Sequence, residues 1–483
     1  VIRVEIIALI IIFTWLIITS IVAFIPGLVK KFSLEEWVVA SREIGMVIMY
    51  FALAAEIYSA FTFLGLAGWA FTYGYSIYYA LAYFVTAYST GFILAKYYWT
   101  YSKKHGYLTQ ADFFADRYES RLLGVLVAIV GVLALLPYIQ LQITGTGIIV
   151  ESASYGAIDR TTAFIIAFIC VAIFVFMGGA RGILWTNVLQ GVLMFICAFI
   201  VLGVPLIGVG GIDKLFAKVI ESYPQYLVPP GGRGIHPIQW YMSSLLLTTL
   251  GFWMFPHLVM RVYAAKDPKT PMRSCAWMPW YSILAFPIVL AGYSALILIP
   301  KLQVADMAVM ETVKLIYSPA IVGLIGAGGL AAAVSTGGGL IQASAAIIAR
   351  NWIQRGFWPK ASDIATAWVA RILTFIITII SLLLALYAPA LLVFLLLVAY
   401  SFVVQFFPGT IFGYAWKKAT KIGVMSGIIV GCIVVILTTF VWRDPLGVHS
   451  GIWGLAANFA VTIPVSLVTK PPREETLKRF FSF

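Results

Sequence analysis

The chain has 483 residues, 62% of them hydrophobic and 11% charged, with a mean hydropathy of +0.99. That composition excludes a water-soluble globular domain. The formal net charge is +13, but the charges sit in short connections between apolar runs, so they read as topology signals rather than a nucleic-acid surface.

A bilayer core of about 30 Å takes about 20 apolar residues of helix. On that measure thirteen spans are predicted, near 5 to 25, 46 to 73, 75 to 98, 119 to 152, 160 to 178, 184 to 208, 238 to 258, 274 to 299, 318 to 350, 362 to 387, 389 to 416, 421 to 441 and 450 to 470. The first apolar run, Ile6 to Val22, is expected to be a span rather than a cleaved leader.

Thirteen spans put the two termini on opposite faces. Basic residues gather on one of them, including Lys30, Lys31, Lys103, Lys104, Arg117, Arg261, Lys266, Lys269, Arg273, Lys417, Lys418, Arg473, Lys478 and Arg479. That face is predicted to be cytoplasmic, with the N-terminus extracellular and the C-terminus inside a plasma membrane. The opposite face is called the outer face below.

Cys170, Cys197, Cys275 and Cys432 show no CxxC or His spacing and imply neither a disulfide framework nor a metal site. The longest outer connection, 209 to 237, contains ValProProGlyGlyArgGly and is expected to hold a short helix around Asp213 to Ser222. It serves as an extracellular lid or as a plain surface loop.

Two spans carry interruptions. Residues 51 to 68 place Glu56, Ser59 and Thr62 in the middle of an apolar helix, and residues 248 to 261 carry Gly251 and Pro256. Each opens a group of five spans, as expected of inverted repeats whose discontinuous first helices expose carbonyls at mid-membrane for ion and substrate. A 1+5+5+2 organisation follows: 1–45 an extra span and loop, 46–209 the first repeat, 210–237 the extracellular loop, 238–416 the second repeat, and 417–483 two further spans and a short tail.

The segment 326 to 339, GlyAlaGlyGlyLeuAlaAlaAlaValSerThrGlyGlyGly, sets two hydroxyls, Ser335 and Thr336, among small residues. Small residues are ordinary helix-packing material, and they also let another helix approach closely enough to complete a cation site from carbonyls.

Several stretches carry a resemblance: SerLeuGluGluTrpValValAlaSerArg (33 to 42), SerAlaPheThrPheLeuGly (59 to 65), ThrGlnAlaAspPhePheAlaAspArgTyr (109 to 118), GlyGlyAlaArgGlyIleLeuTrpThrAsnValLeuGln (178 to 190) and AlaAlaAlaValSerThr (331 to 336). With them the chain resembles the sodium/solute symporter family, which includes sodium/glucose, proline and pantothenate carriers. The resemblance is clear from about Phe32 to Asn351. It implies an all-α polytopic protein with the leucine-transporter-like fold. It also implies sodium as the coupling ion, held by the carbonyls of Ala55, Tyr58 and Ala332 and the hydroxyls of Ser335 and Thr336. Neutral oxygen ligands suit a hard monovalent cation that must be released.

Many family members have an acid where this chain has Asn187, and serines where it has Gly338 and Gly339. A second sodium site is therefore expected to be lost. The stretches 135 to 147, 256 to 266 and 325 to 330 are similar to a subgroup that carries short monocarboxylates, which makes a small organic anion the first choice of substrate.

Ser59, Thr62, Tyr138, Gln142 and His257 are the candidate substrate residues, with Phe252 and Trp253 as a candidate gate. A mid-helix aromatic is usually packing, which is the other reading of both rings, and His257 is equally open to capping backbone carbonyls freed by Pro256. Glu56 has three open uses: carrying a proton, binding a substrate ammonium, or pairing with an arginine or backbone donors. Asp112 or Asp116 is expected to pair with an arginine at the cytoplasmic surface.

The expected partners are a small-molecule substrate, sodium and the lipid bilayer, with no nucleic acid. Proton-coupled uptake through Glu56, sodium-coupled amino acid or sugar symport, and a membrane sensor with a transporter core are the alternatives. No nucleotide loop, metal cluster or nucleophile constellation argues for an enzyme.

Overall fold

The computed structural model describes residues 2–29 and 32–481, without the side chains of residues 2–5, 26–29, 167, 168 and 170. Lys30, Lys31 and the Cys170 thiol therefore lie outside what is described. Among the described residues ten helical segments are long and apolar enough to cross a membrane, or eleven if a bent pair counts as one. Thirteen were expected from the sequence. The difference lies in two long segments, 61–105 and 160–209, each of which holds a reversal of the chain.

α1 (Ile2–Val29) is followed by the short α2 (Leu34–Val39), capped by the Ser33 hydroxyl. α3 (Met46–Ile57) stops at the polar interruption, and the chain resumes through a wide helical turn at 61–65 into α4 (Leu66–Tyr73). Gly74, at φ 68°, ends α4 and turns the chain toward α5 (Tyr78–His105). A left-handed residue is where glycine is favoured. α6 (Gln110–Arg117) lies at the face that gathers the basic residues and leads to α7 (Arg121–Ala153).

α8 (Arg160–Val201) contains Gly179 at φ 53° and ψ −158°. Phe164 packs on Gly147 and Phe174 on Gly338, after which Gly191 meets Phe51 and Cys197 meets Gly328. Because Gly338 and Gly328 lie nearly three helical turns apart on one helix, the chain goes down, reverses at Gly179 and returns.

The outer connection carries α9 (Ile212–Ser222), at the expected place. α10 (Ile238–Gly251) and α11 (Pro256–Tyr263) form the bent pair, at 45°. Pro256 at the first position of α11 lacks an N–H that the helix start would leave unpaired anyway.

α12 (Lys269–Tyr281) and α13 (Ala285–Leu298) continue one another, and α14 (Ala308–Ile316) lies on the outer side. α15 (Pro319–Ile347) is the most buried spanning segment. α16 (Asp363–Tyr387), α17 (Leu392–Val403), α18 (Phe406–Ala415), α19 (Lys421–Ile436) and α20 (Ser450–Val468) follow, and α21 (Glu474–Phe481) lies at the same basic face as α6.

Small residues on α15 explain its position. Gly323 abuts Ala8 of α1, Gly328 abuts Cys197 of α8, and Gly329 abuts Phe63 of the broken first helix. A membrane offers no hydrophobic drive between helices, so such close approach supplies the packing.

Two of the stretches that carry the resemblance, 33 to 42 and 178 to 190, meet at this basic face. Arg181, beside the Gly179 reversal, donates to Glu36 (2.8 Å) and Glu43 (2.9 Å), and Trp37 covers Gly179. Asp112 caps α6 in a reciprocal box with Thr109 and pairs with Arg355 at 2.7 Å. Asp116 pairs with Arg479 of α21, whose Phe480 ring stacks on Tyr101 and His105. Both acids proposed for the cytoplasmic surface thus hold arginines.

Arg117 and Arg261, counted from sequence among the basic loop residues, are fully buried. Helix α11 runs on to Tyr263 and carries Arg261 with it.

Candidate functional site

The break in the first helix leaves backbone groups to be satisfied elsewhere. In a continuous helix the Ala55 carbonyl would accept from the Ser59 N–H and the Glu56 carbonyl from the Ala60 N–H. Here Ser59 donates to the Ile57 carbonyl at 3.1 Å and Ala60 donates to Gln142 Oε1 at 3.1 Å. The Phe61 N–H takes the Ser59 hydroxyl at 3.2 Å. The carbonyls of Ala55 and Glu56 are thereby released from the helix.

Helix α15 answers them. The Ser335 hydroxyl donates to the Ala55 carbonyl at 2.6 Å and stands 3.1 Å from that of Ala332. The Thr336 hydroxyl stands 3.1 Å from the carbonyls of both Ala55 and Glu56. Ser335, Thr336, Ala55 and Ala332 are buried completely. The result is a compact cluster of neutral oxygens from two helices, which is the donor chemistry of a small hard cation.

Tyr58 falls in the break, with ψ 78°, and its phenol is bonded to Ser282 and Tyr88. The Glu56 carbonyl was not anticipated from sequence. Its signal was its place one residue after Ala55, on the same freed turn.

The substrate candidates form one group. The Tyr138 phenol neighbours Ser59, and its ring lies 6.0 Å from that of His257. Gln142, one turn along α7, caps the resumed helix at Ala60. The Thr62 hydroxyl and His257 Nδ1 are buried without a hydrogen-bond partner. Polar atoms left bare at this depth are costly unless a solute or water meets them.

Phe252 and Trp253 face elsewhere. The Phe252 ring sits among Tyr83 and Tyr88, while Trp253 packs on Gly91 and donates its indole N–H to the Ala87 carbonyl at 2.8 Å. The aromatic that meets Tyr138 and His257 is Phe255, with ring centroids 5.4 and 5.5 Å away. Sequence reasoning missed it.

Glu56 is matched by an arginine. Arg261 Nε donates to Glu56 Oε1 at 2.7 Å, and both side chains are wholly buried. Asn187 adds a donor to the same oxygen at 3.2 Å. A Cβ on Gly339 would stand 2.8 Å from the Glu56 carboxyl carbon, and one on Gly338 would press on Phe174 at 3.0 Å. Asn187 and Gly339, singled out as departures from the family pattern, are thus both neighbours of this ion pair. The clue to Arg261 in the sequence was its setting, LeuValMetArgValTyr, in which no polar residue adjoins it.

Comparison with known proteins bears on the whole arrangement. The chain is 33% identical over 479 residues to the uncharacterized symporter YhjB of Bacillus subtilis (strain 168), covering 96% of this chain and 97% of that one. It is 25% identical to a monocarboxylate transport permease protein of Rhizobium johnstonii, covering 90% of each. Among solved structures, a substrate-bound outward-open sodium-coupled sialic acid symporter superposes with a TM-score of 0.80 at 17% identity, over 97% of this chain and 98% of that one. The fold is leucine-transporter-like, and the protein is a transporter rather than an enzyme. The family model for the sodium:solute symporter family matches residues 37–431, and the chain belongs to that family.

Proposed function

We propose that the chain carries a small organic solute, a short monocarboxylate first, across the plasma membrane by alternating access, coupled to one sodium ion. The observation that carries this is the pair of hydroxyls on Ser335 and Thr336 set against the Ala55 carbonyl that the helix break frees. Sodium at this point ties the broken helix to α15, with Ala55, Tyr58, Ala332, Ser335 and Thr336 as its ligands. The solute lies alongside, among Ser59, Thr62, Tyr138, Gln142 and His257. Phe255 acts as the inner gate, and Phe252 and Trp253, which precede it in the turn, hold that turn against α5.

Sodium that orders the break raises affinity for the solute, and the solute must raise sodium affinity by the same factor. The proposed repeats are 46–209 and 238–416, with the N-terminus outside and the C-terminus inside.

One ion rather than two is supported by what surrounds Glu56. Asn187 is committed to the carboxylate, Gly339 makes room for it, and Arg261 already supplies a positive charge there. The same pairing disfavours proton coupling through Glu56.

The test is uptake of labelled short carboxylates, proline and glucose into proteoliposomes under an imposed sodium or pH gradient, for wild type and Ser335→Ala/Thr336→Ala. Sodium-driven accumulation of a carboxylate that the double variant loses is the expected result. Accumulation that follows pH and ignores sodium refutes it.

A further inference from the structure

An open cleft of about 380 Å³ lies at the outer face, between the outer ends of α4, α10 and α17 and the turn joining α19 to α20. It is separate from the buried group around Ser59 and Tyr138. Its wall is aromatic: the His236 ring is stacked on Trp240 at 4.0 Å and on Trp69 at 5.3 Å. Leu397 and Phe394 line the opposite side.

The cleft and its rim carry two cations, Arg443 and Arg233, against one acid, Asp444. Asp444 is engaged on both oxygens, accepting from the Trp240 indole at 3.1 Å and from the Ser450 N–H at 2.8 Å. Burial, with His449 beside it, pushes the His236 imidazole down to about 3, so it is neutral. Arg443 lines the cleft, is exposed, and makes no ion pair among the described residues. Arg233 adds a second cation at the rim, 5.5 Å above the Tyr73 ring. The Thr439 hydroxyl, also in the lining, is buried without a partner.

A column of rings runs inward from the cleft. Trp240 meets Tyr79 at 5.7 Å, Tyr79 meets Tyr83 at 6.0 Å, Tyr83 meets Tyr400 at 5.9 Å, and Tyr400 meets Phe255 at 4.9 Å. Phe255 is the ring against Tyr138. The cleft and the central group are therefore the two ends of one run of ring contacts.

We infer that this outer cleft is a first binding site for a small organic anion, with Arg443 taking the carboxylate and Trp69 and Trp240 taking the apolar body. The assignment of an anion as cargo rests on the function proposed above, whereas the cleft's preference for anions rests on its own charges. A guanidinium–carboxylate contact at a partly open site is worth about one decade in affinity, and a cationic cleft with aromatic walls also concentrates anions before they bind. A cleft of this size suits a small ligand with one charged end.

The test uses labelled propionate and propionamide on the full chain in nanodiscs, in sodium-free buffer, with parallel uptake by proteoliposomes. Saturable propionate binding, weakened about tenfold in Arg443→Gln, restored in Arg443→Lys and kept in Ser335→Ala/Thr336→Ala, is expected. Uptake should show a KM raised by the same factor with an unchanged maximal rate, and propionamide should not bind.

Absence of saturable sodium-free binding in wild type, or equal binding in Arg443→Gln, overturns the cleft. Sodium-driven uptake with an unaltered KM in Arg443→Gln overturns it too, while leaving the symport proposal standing. Arginine-dependent binding in a chain that accumulates no carboxylate supports the cleft and refutes the proposed cargo.

Discussion

Replacing Glu56 by Gln removes one charge from a pair in which neither side chain is exposed. Glutamine keeps the shape and can still accept from Arg261 and Asn187, so the loss is almost purely electrostatic. What remains is a guanidinium, already 3.4 Å from Gln342 Oε1, with no anion to balance it. Removing one member of a buried pair costs about 3–5 kcal/mol, a large part of the 5–15 kcal/mol that typically holds a native protein together. Arg261→Gln should cost less, because the carboxyl left behind has a neutral form and a guanidinium does not.

The double variant should recover at least about 2 kcal/mol of the summed single losses, as coupled neighbours do in a double-mutant cycle. The assay is unfolding of the purified protein by SDS in mixed micelles, followed through the reactivity of Cys197 and Cys275, both of which are buried. A Glu56→Gln variant as stable as wild type that has lost only pH-driven uptake would refute the reasoning and make Glu56 a proton carrier.

Ser335→Ala/Thr336→Ala should raise the sodium concentration for half-maximal uptake at least tenfold, while solute exchange without a sodium gradient persists; flux assays in proteoliposomes read both. Gln142→Leu leaves the Ala60 N–H bare and should cost about 1–3 kcal/mol in the same SDS assay, whereas Gln142→Glu keeps the acceptor and should come nearer wild type in acid, where the carboxyl is neutral, than at neutral pH. Two groups at the outer face give stability opposite slopes with pH.

Burial raises the Asp306 carboxyl from 3.8 to about 7, so the folded state holds a proton that the unfolded chain has lost. Stability should fall as pH rises from 3.8 to 7 and then level off, by up to about 1.4 kcal/mol per pH unit. Asp306→Asn should flatten that slope in a thermal-unfolding series. His236, lowered to about 3, acts in reverse: its contribution is full above 6.5 and is lost as pH falls toward 3, and His236→Phe should remove that acid sensitivity.

Local features of the chain announced part of this arrangement. Glu56, Ser59 and Thr62 in an otherwise apolar run marked the break, and Gly251 with Pro256 marked the second bend, because backbone geometry answers to nearby residues. The helix in the outer connection and the pair Ser335–Thr336 were legible for the same reason. Partners brought in from far along the chain were not. Gln142 caps a residue 82 positions away and Arg261 meets an acid 205 positions away, and no local pattern encodes such a meeting. Arg261 was placed in a loop because a charge near the end of an apolar run ordinarily snorkels to water. Phe255 is not distinguished from Phe252 and Trp253 by sequence, since which ring of a tight turn points inward depends on the turn itself.

The positive charge fixed beside Glu56 also bears on energetics. An arginine built into the chain makes the round trip with the protein, so it neither draws on nor adds to the ion gradient. Under the proposed coupling of one sodium to a monoanionic cargo, the loaded carrier gains no net charge, and its transport step is electroneutral. Membrane voltage then contributes nothing to accumulation, and the concentration ratio of the cargo is capped by the sodium ratio alone.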